Sequence, residues 1–128
     1  MKLISIFLLS IILLSKTSFG QTAPLDGKSF VIFLYLEKER DSIDTLMFQN
    51  SSMSFATEKK YGFIPESMKP KEKNGNIHFV ATFKSKKNGD MIWEGTVMND
   101  SIAGTCIWDK LLQNPINYTF TGKKVKNP

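Results

Sequence analysis

Beyond Gln21 the chain alternates apolar and polar residues, as in Met91-Ile92-Trp93-Glu94-Gly95-Thr96-Val97, and sustains no helical period. Turn-forming residues interrupt the alternation about every ten positions, which is the spacing of short antiparallel strands. The pattern predicts strands at Ser29 to Leu36, Asp44 to Gln49, Ser52 to Thr57, Asn76 to Ser85, Asp90 to Met98, Ser101 to Lys110 and Ile116 to Lys123, with a further short one at Lys60 to Ile64. Seven or eight strands joined as a meander follow.

Pairing register is a sharper test, because alternation and turn length must agree. A turn centred on Asn99-Asp100 sets Val97 opposite Ile102, Gly95 opposite Gly104, Trp93 opposite Cys106 and Met91 opposite Trp108, all apolar or Gly. The other face pairs Glu94 with Thr105 and Thr96 with Ala103, a polar set apart from Ile92 opposite Ile107. A loop at Lys87-Asn88-Gly89, with the Gly in the left-handed position, brings Phe83 to Trp93, Ala81 to Gly95 and Phe79 to Val97. A loop centred on Leu112 brings Trp108 to Ile116, Cys106 to Tyr118 and Gly104 to Phe120. Upstream, a turn at Asn50-Ser51 aligns Phe48 with Met53 and Leu46 with Phe55, and Phe30, Ile32 and Leu34 form the inward set of the first strand.

One apolar face shared by so many strands leaves two exposed edges, which closure into a barrel removes. An all-β up-and-down barrel is the first choice of architecture and a β-sandwich the second. Gly95 opposite Gly104 marks a place of curvature or tight packing. The segment Met68 to Asn76, reading MKPKEKNGN, is expected to be a charged loop, either a long turn or a lid-like connection, and residues 124–128 a short disordered tail.

The N-terminus has a different pattern. Met1-Lys2 precedes Leu3 to Leu14, an apolar run broken only by Ser5 and Ser10, and Ser15-Lys16-Thr17 follows. Such a run makes roughly 18 Å of helix against a hydrocarbon layer of roughly 30 Å, too short for a stable span. Residues 1–20 read as a signal peptide, with Ser18-Phe19-Gly20 placing cleavage before Gln21, and residues 21–128 as a single domain. The one Cys, Cys106, is far from the cut and has no partner within the chain, so neither a lipid anchor nor an internal disulfide is expected. The mature protein is expected to be exported, periplasmic or extracellular, without a stable membrane span.

Ten Phe among 12% aromatic residues supply enough apolar area for an ordered core. Of 17 Lys+Arg, Lys2 and Lys16 lie in the signal, so 15 face 12 Asp+Glu in the mature chain, a mild excess. These cations gather in turns and the tail, at Lys69, Lys71 and Lys73, at Lys86 and Lys87, and at Lys123, Lys124 and Lys126, without interleaved stacking rings. No nucleic-acid partner is expected.

Hydrolytic chemistry needs a nucleophile, a base and an orienting group, and the one His, His78, alternates with Ile77 and Phe79 so that it points away from the core. An enzyme is not expected. Glu37, Glu39, Asp41 and Asp44, interleaved with Lys38 and Arg40, read as a solvated loop that lacks the spacing of a calcium site. No metal-ligand spacing or phosphate loop is present, so no metal or cofactor is expected. Cys106 reads as a buried, inert residue.

What remains is the interior. Inward-facing Trp93, Trp108, Tyr118 and Phe83, with Tyr61 and Phe63 of the preceding corner, would surround one end of the barrel. Aromatic walls with polar tips hold small apolar or aromatic ligands, and these residues form the candidate site, with the Tyr61 to Asn76 loop beside it. Alternatively the rings fill the barrel, and the chain is an interaction module for another extracytoplasmic protein. A cavity above about 300 Å³ favours the first reading.

Gly27-Lys28-Ser29-Phe30, Asp44-Thr45-Leu46-Met47-Phe48, Tyr61-Gly62-Phe63, Trp93-Glu94-Gly95-Thr96-Val97, Gly104-Thr105-Cys106-Ile107-Trp108 and Tyr118-Thr119-Phe120-Thr121-Gly122 succeed one another along the chain. In this series the chain resembles a group of small exported bacterial proteins, lipocalin-like in outline. The group often carries a Cys just before the Tyr-Gly-Phe corner, where Thr57-Glu58-Lys59-Lys60 stands here. The resemblance implies a small lipocalin- or avidin-like barrel and export, and supplies no activity. The interaction-module alternative is similar in outline to small barrel inhibitors of secreted proteases.

The mature chain is expected to begin at or within a few residues of Gln21 and to carry no lipid. Intact-mass measurement of the exported protein checks this, and retention of Met1 to Gly20 overturns it.

Overall fold

The computed structural model describes residues 23–126. The expected signal peptide, the cleavage point before Gln21 and the last two residues of the expected tail lie outside the described residues. Eight strands follow one another: β1 (Ser29–Leu36), β2 (Glu39–Gln49), β3 (Ser52–Phe55), β4 (Ile64–Lys73), β5 (Asn76–Ser85), β6 (Gly89–Met98), β7 (Ser101–Asp109) and β8 (Ile116–Lys124). They form one antiparallel sheet in the order β3-β2-β1-β8-β7-β6-β5-β4. β1 pairs with both β2 and β8, so the first and last strands join, and β3 and β4 are left at the two ends without a ladder between them. The result is an up-and-down meander curled into a nearly closed barrel, with no helix among the described residues.

Three of the hairpins turn in two residues that both have positive φ: Glu37-Lys38 (52° and 72°), Asn50-Ser51 (53° and 58°) and Asn74-Gly75 (54° and 82°). This turn matches the right-handed twist of the strands it joins. The registers expected for β6–β7, β7–β8 and β2–β3 are those observed, with Trp93 across from Cys106, Cys106 from Tyr118, and Phe48 from Met53.

Several expectations are corrected. In β5–β6, Phe83 pairs with Met91, Ala81 with Trp93 and Phe79 with Gly95, two residues away from the expected register. A shift of two keeps every side chain on its face, so alternation alone could not detect it. The turn chemistry decides: Gly89, at φ 86°, belongs to the ladder opposite Ser85, whose hydroxyl accepts from Asn88 N–H at 3.1 Å.

The charged segment Met68 to Asn76 is not a loop; most of it belongs to β4, which pairs along its length with β5. Lys60 to Ile64 is turn up to Phe63, and Ile64 opens β4. The acids at Glu39, Asp41 and Asp44 lie in β2, not in a long loop. Lys124 is the last residue of β8, and Val125 N–H donates to Ser29 O at 2.8 Å, so the tail is held further than expected.

The inward faces meet in a column of rings. Phe48 stands edge-on to Phe30 and Phe79, Phe55 packs on Phe83 and Trp93, and Trp93 on Phe120, with centroids 4.9 to 6.1 Å apart. At the end where β2 turns into β3, Gly27 N–H donates to Phe48 O and carries Leu25 into the core. Gly95 and Gly104 pair in the wall. A side chain at Gly95 would meet the Phe79 and Phe120 rings, and one at Gly104 the Glu94 carbonyl and Gly95 itself.

Gly104→Ala is therefore expected to destabilise the barrel by about 1 to 3 kcal/mol or more through overpacking against rigid backbone. Gly75→Ala, with open space around it but positive φ, should cost only about 1 kcal/mol. Urea unfolding midpoints of the two variants check the order, and equal effects would remove the close approach as its cause.

Candidate functional site

The rings do not fill the barrel to its other end. Between the starts of β2, β6 and β8, the end of β7, and the residue 56–63 connection lies a cavity of about 160 Å³. Trp93, Phe55, Cys106 and Leu34 line its inner part, Met91, Trp108, Tyr118 and Tyr61 its walls, and Asp44 and Thr57 one side. Asp41, Ser42 and Ile43 also line it and are themselves exposed, so the cavity opens to solvent on the β2 side.

The wall is held by a hydrogen-bonded turn. Ser85 Oγ donates to Tyr61 O at 2.9 Å and Asn88 Nδ2 donates to the same carbonyl at 2.6 Å. Asn88 O in turn accepts from Trp108 Nε1 at 2.7 Å. One residue of the β5–β6 turn thus ties the Tyr61 backbone to the Trp108 ring, and the two rings pack edge-on with centroids 5.3 Å apart. Lys110 Nζ lies 4.1 Å from the centre of the Trp108 ring.

The polar groups are unevenly satisfied. Asp44 is 8% exposed; its Oδ1 accepts from Thr45 N–H at 2.8 Å and its Oδ2 from Thr57 Oγ1 at 2.6 Å. Trp93 is 1% exposed, and its Nε1 has no hydrogen-bond partner among the described residues. Buried donors without acceptors are rare, because the lost hydration is not replaced. Burial, and then the Asp41, Cys106 and Tyr61 groups, push the Tyr118 phenol up, so it stays a protonated O–H. Burial and the Asp44 charge push the Cys106 thiol far up, leaving it an unreactive part of the wall.

Of the residues expected at the site, Trp93, Trp108, Tyr118 and Tyr61 line the cavity together. Phe83 and Phe63 do not: Phe83 is buried against Phe55, and Phe63 is wedged between Phe55 and Trp108. The Tyr61 to Asn76 segment contributes Tyr61 alone, since β4 runs away along β5. His78 lies on the outer face, with Nδ1 3.1 Å from Thr96 Oγ1 and Nε2 3.3 Å from Glu94 Oε1. Sequence reasoning missed Asp44 as a site residue. The signal was there: Phe48 and Leu46 face inward, and stepping back two more along β2 reaches Asp44.

Among the described residues no group of three His, Cys, Asp or Glu side chains is placed to hold a metal ion, and no helix is long and apolar enough to cross a membrane. Set against protein-family models, curated proteins and solved structures, the chain has no match.

Glu58, in the 56–63 connection, has a buried Oε2 without a partner among the described residues. Desolvation pushes its carboxyl above the ordinary range, with the Asp44 charge adding to this and Lys59 and a hydrogen bond from backbone working against it. The folded state therefore holds this proton more tightly than the unfolded chain. The stability it contributes is full below the ordinary carboxyl range and is lost as pH rises through the raised folded value. Glu58→Gln is expected to be more stable than the parent at neutral pH, with the gap closing in acid. Urea unfolding of both proteins across that range checks this, and a gap that widens in acid overturns it.

Proposed function

We propose that the chain is an exported, lipocalin-like barrel that binds one compact ligand at its mouth, acting as a binder and not as an enzyme. The observation that carries this reading is the open cavity that Trp93, Trp108, Tyr61 and Tyr118 line beside the buried Asp44. At about 160 Å³ the cavity falls short of the roughly 300 Å³ expected to favour the binding reading, so only a compact ligand is compatible with it. The small apolar or aromatic ligand expected from the sequence is therefore narrowed to one of about a single ring's bulk, since an apolar cavity of about 150 Å³ accommodates benzene.

The filled lower barrel favours a second reading as an interaction module. Its surface would be the groove between the 59–66 segment and the β5–β6 turn, bordered by Lys59, Lys60, Lys84, Lys86 and Lys87, which suits an acidic protein.

Trp93 and Trp108 both line the cavity, so tryptophan emission reports on its contents. A panel of neutral, cationic and anionic molecules no larger than one ring is expected to include members that shift it saturably, while a long-chain fatty acid does not. Trp108→Phe should retain the response through Trp93. Emission unmoved by the whole panel overturns the binding reading and leaves the interaction module.

A further inference from the structure

We infer that the cavity is built for a small organic ammonium ion, seated among the rings with its charge beside Asp44. This inference rests on the binding reading above and adds the ligand's class.

The argument starts from the carboxylate. Asp44 is buried, and both its hydrogen bonds come from neutral donors, Thr45 N–H and Thr57 Oγ1. Among the described residues the ion pairs join His78 to Glu94 and Lys84 to Glu66, both away from the cavity. Asp44 therefore has no ion-paired counter-charge among the described residues. A buried carboxylate without a cation is costly, and proteins pair such groups or place them where a ligand does. Of its roughly four lone-pair positions two are taken, which leaves acceptors for an incoming cation.

The walls select the kind of cation. Asp41 and Asp44 line the cavity, and no Lys or Arg among the described residues does. Tyr61, Trp93, Trp108 and Tyr118 present ring surface, which attracts a weakly hydrated organic cation. The chain itself uses two of these rings in that way, with Lys60 Nζ 5.5 Å from the Tyr61 centroid and Lys110 Nζ 4.1 Å from that of Trp108. A calcium ion would need about six to eight oxygens, a shell that two carboxylates among rings do not offer. The hydroxyls of Tyr118 and Thr57 lie in the same lining and suit a ligand that also carries a polar group. A compact ammonium ion bearing a hydroxyl meets both.

Choline is the probe, and its uncharged isostere, with a tert-butyl group in place of trimethylammonium, is the control of equal shape. Calorimetric titration of the full mature chain is expected to show choline binding about tenfold or more tightly than the isostere. Asp44→Asn should lose that preference while its melting temperature stays level or rises, because the uncompensated buried charge has gone. Equal affinity for the two probes, or undiminished choline preference in Asp44→Asn, overturns the inference and leaves the binding reading standing. If neither probe binds while another compact molecule does, the ammonium class alone is removed; if the whole panel is silent, the binding reading goes with it. The comparison of probes on the parent protein stands even if the variant fails to fold.

Discussion

The width of the barrel at Gly95 and Gly104 governs what its interior can hold. An eight-stranded barrel encloses little more than its own side chains, and here Phe79 and Phe120 reach across because β6 has no side chain in their way at Gly95. Gly104 in turn lets the β7 backbone close up on β6. The rings then stack from Phe30 and Phe48 at one end to Trp93 and Phe120 in the middle. The wall is drawn in where the column is dense, and the space that remains lies beyond Trp93, toward the starts of β2 and β6.

That remaining space is shaped by polar contacts more than by packing. The carbonyl of Tyr61 and the indole of Trp108 are both tied to Asn88, so the mouth is braced by the turn entering β6. On the opposite side, Thr57 holds the Asp44 carboxylate from the same connection that carries Tyr61. The connection crosses the gap between β3 and β4, and the missing ladder there is what leaves room for it. The seam of the barrel and its candidate site are thus consequences of one short strand: β3 ends at Phe55, before it could reach along β4.

Alternation and turn residues made most of the ladder legible. The pairs Trp93–Cys106, Gly104–Phe120 and Leu46–Phe55 follow from a single apolar face and a fixed turn centre. β4 was illegible because an edge strand exposed along most of its length has no apolar face to read, and Pro65, Pro70, Lys69 and Lys71 carry the composition of a loop. Those residues are also the ones that discourage a further strand from adding to that edge. Four of the six expected site residues meet at the cavity, because inward aromatics near one strand end must converge there. Phe83 and Phe63 lie off it, since which rings fill and which surround depends on packing across strands far apart in sequence. Asp44 was read by its acidic neighbours in place of its position in the alternation.

The pairing of β1 with β8 has a kinetic side. β2–β3, β4–β5, β5–β6, β6–β7 and β7–β8 are local hairpins, but β1 finds its second neighbour only when the end of the chain is in place. Closing so long a loop is entropically slow. Until it happens, one edge of β1 carries Phe30, Ile32, Phe33 and Leu34 without a partner, a strand suited to pairing with another copy. A chain interrupted before β8 is therefore not a smaller barrel but two separate sheets, β3-β2-β1 and β7-β6-β5-β4, each with an adhesive edge, and whatever handles the nascent protein must shield its beginning until its end arrives.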